Sequence, residues 1–399
     1  MPKISKKGIL TPESPIRKLV PFAEAAKKKG IHIYHLNIGQ PDIKTPKVAL
    51  DAVRNNTIDI LSYSSSDGSE TYREKLVTYY AKNNIHIHKE NIIVTTGASE
   101  ALLFTIASIT DPHDEIIIPE PFYANYNTFA ITKGVNVIPV TSTIENNFAL
   151  PNISAFEKVI TNKTKAILIC NPGNPTGIVY SKKDIQQLKN LAIKHDLFLI
   201  ADEVYREFVY DGEEHHSILS ETGINQHAIM IDSVSKRYSM CGARIGCVIS
   251  RNKDFLFTVM KMAQSRLSPP TYAQIAAEAA LETPQHYFTE VVEEYTQRRN
   301  ILIKELKKLD RVTVFTPKGA FYCIVQLPVN DTDIFAQWML ENFSDKNETI
   351  MVAPASGFYS TKNIGKSQIR IAYVLNQKDL IRSVEILKLA LQQYQEENI

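Results

Sequence analysis

The sequence predicts an α/β protein, with a mostly parallel, doubly wound sheet in a large domain and a smaller α+β domain after it. Three observations predict this. From about Asn91, short apolar runs alternate with helical stretches, the pattern of a sheet buried on both faces by helices. Thr283–Leu309 is amphipathic and rich in charge; as one helix its roughly 27 residues would reach about 40 Å, far enough to link two domains. At 399 residues the chain is long enough for two or three domains with buried cores.

The strand-like runs are Ile92–Thr95, Glu115–Ile118, Ala166–Cys170, Leu197–Ala201, Ile229–Asp232 and Gly246–Ser250. The C-terminal part adds β-like runs at Phe321–Leu327 and Gln368–Val374 and helices at Thr332–Asn342 and Gln377–Gln393. The segment before Pro46 carries no core of its own and is expected to pack on the smaller domain. The expected division is an N-terminal segment 1–47, a large domain 48–285 and a small domain 286–399, with the 283–309 helix linking the last two.

Basic and acidic residues nearly balance, 45 against 43, which argues against nucleic acid or an anionic membrane as partner. The four cysteines show no CxxC and no paired spacing, so neither metal nor disulfides are expected and a reducing cytoplasm fits best. The basic stretch Met1 to Lys7 lacks a following apolar region, and no signal peptide is read. The apolar runs are far too short to span a bilayer.

The chemistry gathers where strands end. Asp202 closes the run Leu197–Ala201 and is followed by Glu203-Val204-Tyr205. Ligands of open α/β sheets bind at the carboxyl ends of strands, although a strand-end aspartate serves equally well as a helix N-cap. Ser233-Val234-Ser235-Lys236 follows the next run and should reach the same edge, with Arg244 eight residues on. A lone lysine is a surface residue; flanked by two serines and an arginine at these spacings it is not. Thr95-Thr96-Gly97-Ala98-Ser99-Glu100 leads a strand into a helix, and its small residues let backbone N–H groups approach a phosphate. No dinucleotide or P-loop glycine fingerprint occurs, which weakens an oxidoreductase reading.

Three further positions stand out. Asn171-Pro172-Gly173-Asn174-Pro175-Thr176-Gly177 is a rigid loop that can hold the Asn174 amide in place. Arg370 sits in an apolar β-like run and needs an anion, for which its forked donors suit a carboxylate. Tyr123 can stack on a planar ring, though an aromatic there is more often core. A lysine amine, a strand-end carboxylate, a phenol and a hydroxyl-plus-arginine cradle are together the groups that pyridoxal 5'-phosphate needs: an amine for its aldehyde, a carboxylate for its ring nitrogen, and donors for its ring oxygen and phosphate.

These motifs resemble the class I/II aminotransferases, of the fold-type-I group of pyridoxal phosphate enzymes. The resemblance runs from about Asn37 to Tyr373 through NIGQPD, YSSSDG, TTGASEA, NPGNPTG, ADEVY, SVSKRYSMCGARIG and RIAYV, all in family order. It implies Lys236 as Schiff-base lysine and proton shuttle, Asp202 on the pyridinium nitrogen, and Tyr205 and Asn174 on the ring oxygen. Gly97, Ala98, Ser99, Ser233, Ser235 and Arg244 would cradle the phosphate, and Tyr123 would stack on the ring. Arg370, Asn174 and the backbone of Gly39 would hold the substrate α-carboxylate. Tyr63 would reach the phosphate of a neighbouring subunit, which implies a homodimer with shared active sites.

Two departures bear on the substrate. Some aspartate-using relatives carry a lysine in the segment matching Gly97-Ala98-Ser99-Glu100, and this chain has none. The arginine that binds a distal carboxylate in another branch has no match in register; Ala263 falls there, and Arg266 is the nearest cation. Arg266 or Arg17 is therefore the expected reader of an acidic side chain. The implied reaction is ping-pong transfer of the amino group of an L-amino acid, aspartate first, to a 2-oxo acid, 2-oxoglutarate first. The alternatives are an aromatic, alanine or kynurenine aminotransferase, and a carbon–sulfur β-lyase that begins with the same proton removal.

Overall fold

The structure, a computed structural model, describes residues 2–397, so Met1 and the last two residues of the 286–399 segment lie outside the described residues. A first short strand, β1 (His32–His35), is followed by the strands of the main sheet: β2 (Ile92–Thr95), β3 (Glu115–Glu120), β4 (Asn136–Thr141), β5 (Thr164–Cys170), β6 (Phe198–Asp202), β7 (Ala228–Ser233) and β8 (Gly246–Ser250). Their order is β2-β8-β7-β6-β5-β3-β4. The pairs from β7 across to β4 are parallel, and β8 alone runs against both its neighbours.

Both faces of this sheet are covered, which is why its strands are continuous apolar runs rather than alternating ones. Ile117, Ile167, Leu199 and Met230 enter one core, with Leu76, Leu188 and Ala277 from the helices on that side. Ile116, Leu168, Ile200 and Ile231 enter the other, with Leu102, Phe129 and Val259.

Strand β4 has no counterpart among the sequence-derived runs. Pro139 lies in its middle and weakens the strand signal, yet β4 is at the sheet edge, where one side of the ladder has no partner and a missing N–H is tolerated. The short pairs around β1 and in the second sheet were likewise too brief to show a period.

The second sheet is antiparallel, in the order β12-β13-β10-β9 of β9 (Thr313–Val314), β10 (Tyr322–Gln326), β12 (Ala353–Pro354) and β13 (Gln368–Ala372). Strand β1 pairs in parallel with β11 (Glu348–Met351). Leu19, Ala23 and Ile33 of the N-terminal segment share one core with Phe335, Ile350 and Leu387, so the two ends of the chain pack together. The linking helix is Gln285–Leu306, its start set by Pro284 at the N-cap.

Candidate active site

Asp202 ends β6, Ser233 ends β7 and Thr95 ends β2. Because β8 is reversed, its first residue Gly246 pairs with both Ser233 and Thr95. The connection from Ser233 to Gly246, which carries Ser235, Lys236 and Arg244, therefore lies beside the start of the helix Gly97–Ile109. A cavity of about 380 Å³ opens at this carboxyl edge.

One end of the cavity is built for an anion. Gly97 has φ +76°, and a Cβ there would stand 2.3 Å from Nη2 of Arg244, so only glycine lets the guanidinium lie against the helix N-terminus. Arg244 itself holds φ 57°, a left-handed conformation uncommon for a side-chain-bearing residue. Its Nη1 donates to the Cys241 carbonyl at 2.9 Å, and among the described residues no carboxylate pairs with it. A guanidinium and the positive pole of a helix placed together need an anion between them. Ala98, Ser99, Ser233 and Ser235 line the cavity there.

At the centre lie Lys236 and Asp202. Nζ of Lys236 donates to the Gly39 carbonyl at 2.8 Å. Burial, reinforced by the charges of Arg370 and Arg244, lowers its pKa from 10.5 to about 8. Burial pushes Asp202 up from 3.8 to about 6, against the hydrogen bonds it accepts from Tyr126 Oη at 2.7 Å and from the N–H of Val204. Both charges are disfavoured by burial, so the pair suits chemistry near neutral pH.

The far wall comes from both sheets. Arg370, 1% exposed, donates through Nη1 to Oδ1 of Asn174 at 3.1 Å and through Nη2 to the Asn37 carbonyl, while its buried Nε has no partner. Its guanidinium lies over the ring of Tyr322, whose hydroxyl is 2.9 Å from that of Tyr205. A Cβ on Gly39 would stand 1.7 Å from the Tyr322 hydroxyl, so the backbone passes this close only as glycine. Tyr123 also lines the cavity, held by Asn125 Nδ2 donating to its hydroxyl at 2.8 Å.

These residues fit pyridoxal phosphate. The unpaired Arg244 would meet the phosphate, Asp202 the ring nitrogen, Tyr205 and Asn174 the ring oxygen, and Lys236 the aldehyde. Arg370, whose buried Nε has no partner among the described residues, would meet a carboxylate through its guanidinium.

The structure does not bring every expected residue together. Arg17 lines the cavity, but Arg266 does not. Its guanidinium is committed to Oε2 of Glu100 at 2.9 Å and to the carbonyls of Ser66 and Val94, which corrects its expected role as a substrate reader. Tyr63 is 76% exposed and does not line the cavity. Sequence reasoning missed Tyr126 and Tyr322. The first could have been found one helical turn after Tyr123; the second arrives from the other sheet and left no local signal.

A family model described as "Aminotransferase class I and II" matches residues 31–387. The chain is 31% identical to the aromatic-amino-acid aminotransferase 2 of Thermococcus litoralis, covering 95% of this chain and 96% of the relative. It is also 31% identical to the aspartate aminotransferase of Pyrococcus abyssi, again over 95% of this chain and 96% of that one. Among solved structures, the alanine aminotransferase of Pyrococcus furiosus superposes with a TM-score of 0.90 at 28% identity, covering 98% of this chain and 100% of the other. A mutant of the Thermus thermophilus aspartate aminotransferase gives 0.89 at 28%, with the same coverage.

Proposed function

The chain belongs to the class I and II aminotransferases and is an aminotransferase, and from that premise we propose that it uses pyridoxal phosphate to move the amino group of L-aspartate to 2-oxoglutarate. The observation that carries the cofactor is the presence of Lys236 and Asp202 in one cavity whose far end holds an unpaired Arg244.

When bound, pyridoxal phosphate supplies an aldehyde that condenses with amines and a pyridine ring that takes up the electron pair left on the α-carbon. Lys236 would hold the aldehyde, and its Nζ, when free, would be the base that moves the α-proton. Asp202 keeps the ring nitrogen protonated, and Tyr126 keeps Asp202 in place. Tyr205 and Asn174 hold the ring oxygen. Arg370 binds the α-carboxylate through its fork, with Asn174 and Gly39 beside it. A 2-oxo acid runs the same proton steps in reverse, giving ping-pong kinetics.

The donor rests on Arg17. Of the cations lining the cavity, Lys236, Arg244 and Arg370 have tasks on the cofactor and the α-carboxylate, and Arg17 has no side-chain partner among the described residues. It lies in a segment anchored by the Lys18–Asp333 ion pair, within reach of a second carboxylate. A second reading, an aromatic donor, is favoured by Ile16, Ile38 and Leu102 in the same wall.

The N-terminal segment 1–47, the large domain 48–285 and the small domain 286–399 would close over the substrate between them. The chain would work as a homodimer, with the exposed run Ile60, Leu61 and Tyr63 facing the partner and Tyr63 reaching the partner's phosphate. A reducing cytoplasm accords with its four free thiols.

The test is the absorbance of the cofactor-loaded protein, followed as single L-amino acids are added with no 2-oxo acid. Replacement of the yellow band by that of the aminated cofactor is expected, fastest with aspartate. A protein that stays yellow with every donor, or that frees pyruvate and ammonia from cysteine derivatives, would reject the reading.

A further inference from the structure

Behind the cavity, five acidic and basic side chains, Glu203, Arg206, Glu207, Asp232 and Arg237, form one cluster with the Tyr79 and Tyr80 hydroxyls and His215, and none of these residues lines the cavity. Asp232 is its hub. Oδ2 accepts from the Tyr80 hydroxyl at 2.7 Å and from Nη2 of Arg237, and lies 3.9 Å from Nε of Arg206. Arg206 donates to Oε2 of Glu203 at 2.7 Å, and Nε of Arg237 lies 2.8 Å from Oε1 of Glu207. Glu203 also accepts from the Ser217 hydroxyl and the N–H of Ile218. The side chains of Glu203, Arg206, Asp232 and Arg237 are at most 3% exposed.

Stability alone accounts poorly for such a cluster. Burying charges is costly enough that apolar residues of the same volume often do as well or better. Its place in the chain offers another account. Glu203 follows Asp202, and the alternation of a strand turns the two to opposite faces of the sheet. Arg237 follows Lys236 in the single turn Val234–Arg237, and Asp232 precedes Ser233 at the end of β7. The cluster thus ties together, from the back, the two backbone segments that carry Lys236 and Asp202. The backbones of β6 and β7 already pair there, Asp202 opposite Ile231, but among the described residues no side-chain bond joins Lys236 to Asp202 in the cavity: the Lys236 amine bonds the Gly39 carbonyl and Asp202 bonds Tyr126 and Val204.

We propose that Asp232, Arg237, Arg206 and Glu203, with Glu207 at the rim, are positioning residues that lock the lysine turn to the end of β6. Lys236 and Asp202 then keep one spacing each time the amine is released from the cofactor and recaptured. This rests on the assignment of both residues to pyridoxal phosphate. A displacement of about 1 Å between reacting groups is enough to slow chemistry on the order of 10²-fold, so a modest loosening is measurable.

The experiment uses the loaded full-length protein and reads the visible circular dichroism of the bound cofactor, which reports its orientation, beside kcat, KM and melting temperature. Asp232→Asn and Arg237→Gln are expected to take up pyridoxal phosphate but to give a smaller or inverted dichroic band. Their kcat should fall about 10²-fold with KM little changed. The double variant should be no worse than the poorer single one, because both break one link. Arg237→Lys, which keeps a charge for Asp232, should recover part of the band and the rate. Variants that melt lower but keep the wild-type band and kcat would overturn the proposal and leave the cluster a stability element. If neither folds, Glu207→Gln at the rim decides by the same readouts, and an unchanged band there overturns it. A wild-type protein that acquires no visible band, or Lys236→Ala that still forms the lysine-linked band, would instead reject the cofactor assignment underneath.

Discussion

The side-chain oxygen of Asn174 accepts a hydrogen bond from Nη1 of Arg370 at 3.1 Å, although 196 residues separate them. The bond joins the turn after β5, in the main sheet, to β13 in the second. It leaves the arginine with one Nη on Asn174, the other on the Asn37 carbonyl, and a buried Nε with no partner. A fully buried guanidinium with a free donor is primed for an anion, and its own ionisation is already lowered by burial.

Arg370→Lys should therefore be far from conservative, because an ammonium cannot reproduce the fork. The expected loss is about 3 kcal/mol, on the order of 10²-fold in kcat/KM, for every amino acid donor alike. Steady-state kinetics on three unrelated donors would check it, and an unchanged kcat/KM would move the α-carboxylate to another group.

The Lys236 amine titrates near 8, below its ordinary 10.5, because it is buried. Only the neutral amine attacks an aldehyde, so borohydride-trapped capture of pyridoxal phosphate should rise as pH passes through about 8 and level off above it. The unfolded chain holds this proton up to 10.5, so the group's stability contribution grows with pH between 8 and 10.5. Lys236→Ala should abolish turnover and trap no cofactor at that position. Substantial retained activity would sink the assignment.

Asp202 behaves oppositely. Burial raises its pKa from 3.8 to about 6, so the folded apoprotein keeps this proton longer than the unfolded chain does. Stability from the group is fully present below 3.8 and lost as pH rises through about 6. Asp202→Asn should make the apoprotein about 1–3 kcal/mol more stable at pH 7.5 while abolishing activity. Tyr126→Phe removes a bond that lowers the pKa, and should deepen the penalty. Urea unfolding of the three apoproteins at pH 4 and 7.5 measures both effects; equal differences at the two pH values would refute this account.

Arg17→Ala tests the donor. Loss of a charge-assisted hydrogen bond to a second carboxylate should lower kcat/KM for aspartate about 10-fold and leave aromatic donors unchanged. An equal fall for both classes would assign Arg17 to shaping the cavity rather than to reading the substrate side chain, and no change in either would remove it from the site.

Much of the site was legible without coordinates, for a physical reason. In a sheet covered on both faces the strands are unbroken apolar runs, so their ends are visible, and ligands bind at those ends. Asp202, Ser233, Lys236 and Gly97 all fall there. Only tertiary structure decided the rest. Local spacing brought Arg266 near the site, yet its side chain turns to Glu100, because sequence position does not say which way a side chain points. Strand β4 hid behind Pro139, harmless only because the strand lies at an edge. Tyr322 meets Tyr205 across 117 residues, and Asp232 gathers Tyr80, Arg206 and Arg237 from three separate elements. The sequence by itself determined the parallel sheet and the residues at its edge. Chain closure determined which distant groups press on them, because burial and hydrogen-bond partners are properties of the packed whole and leave no local period to read.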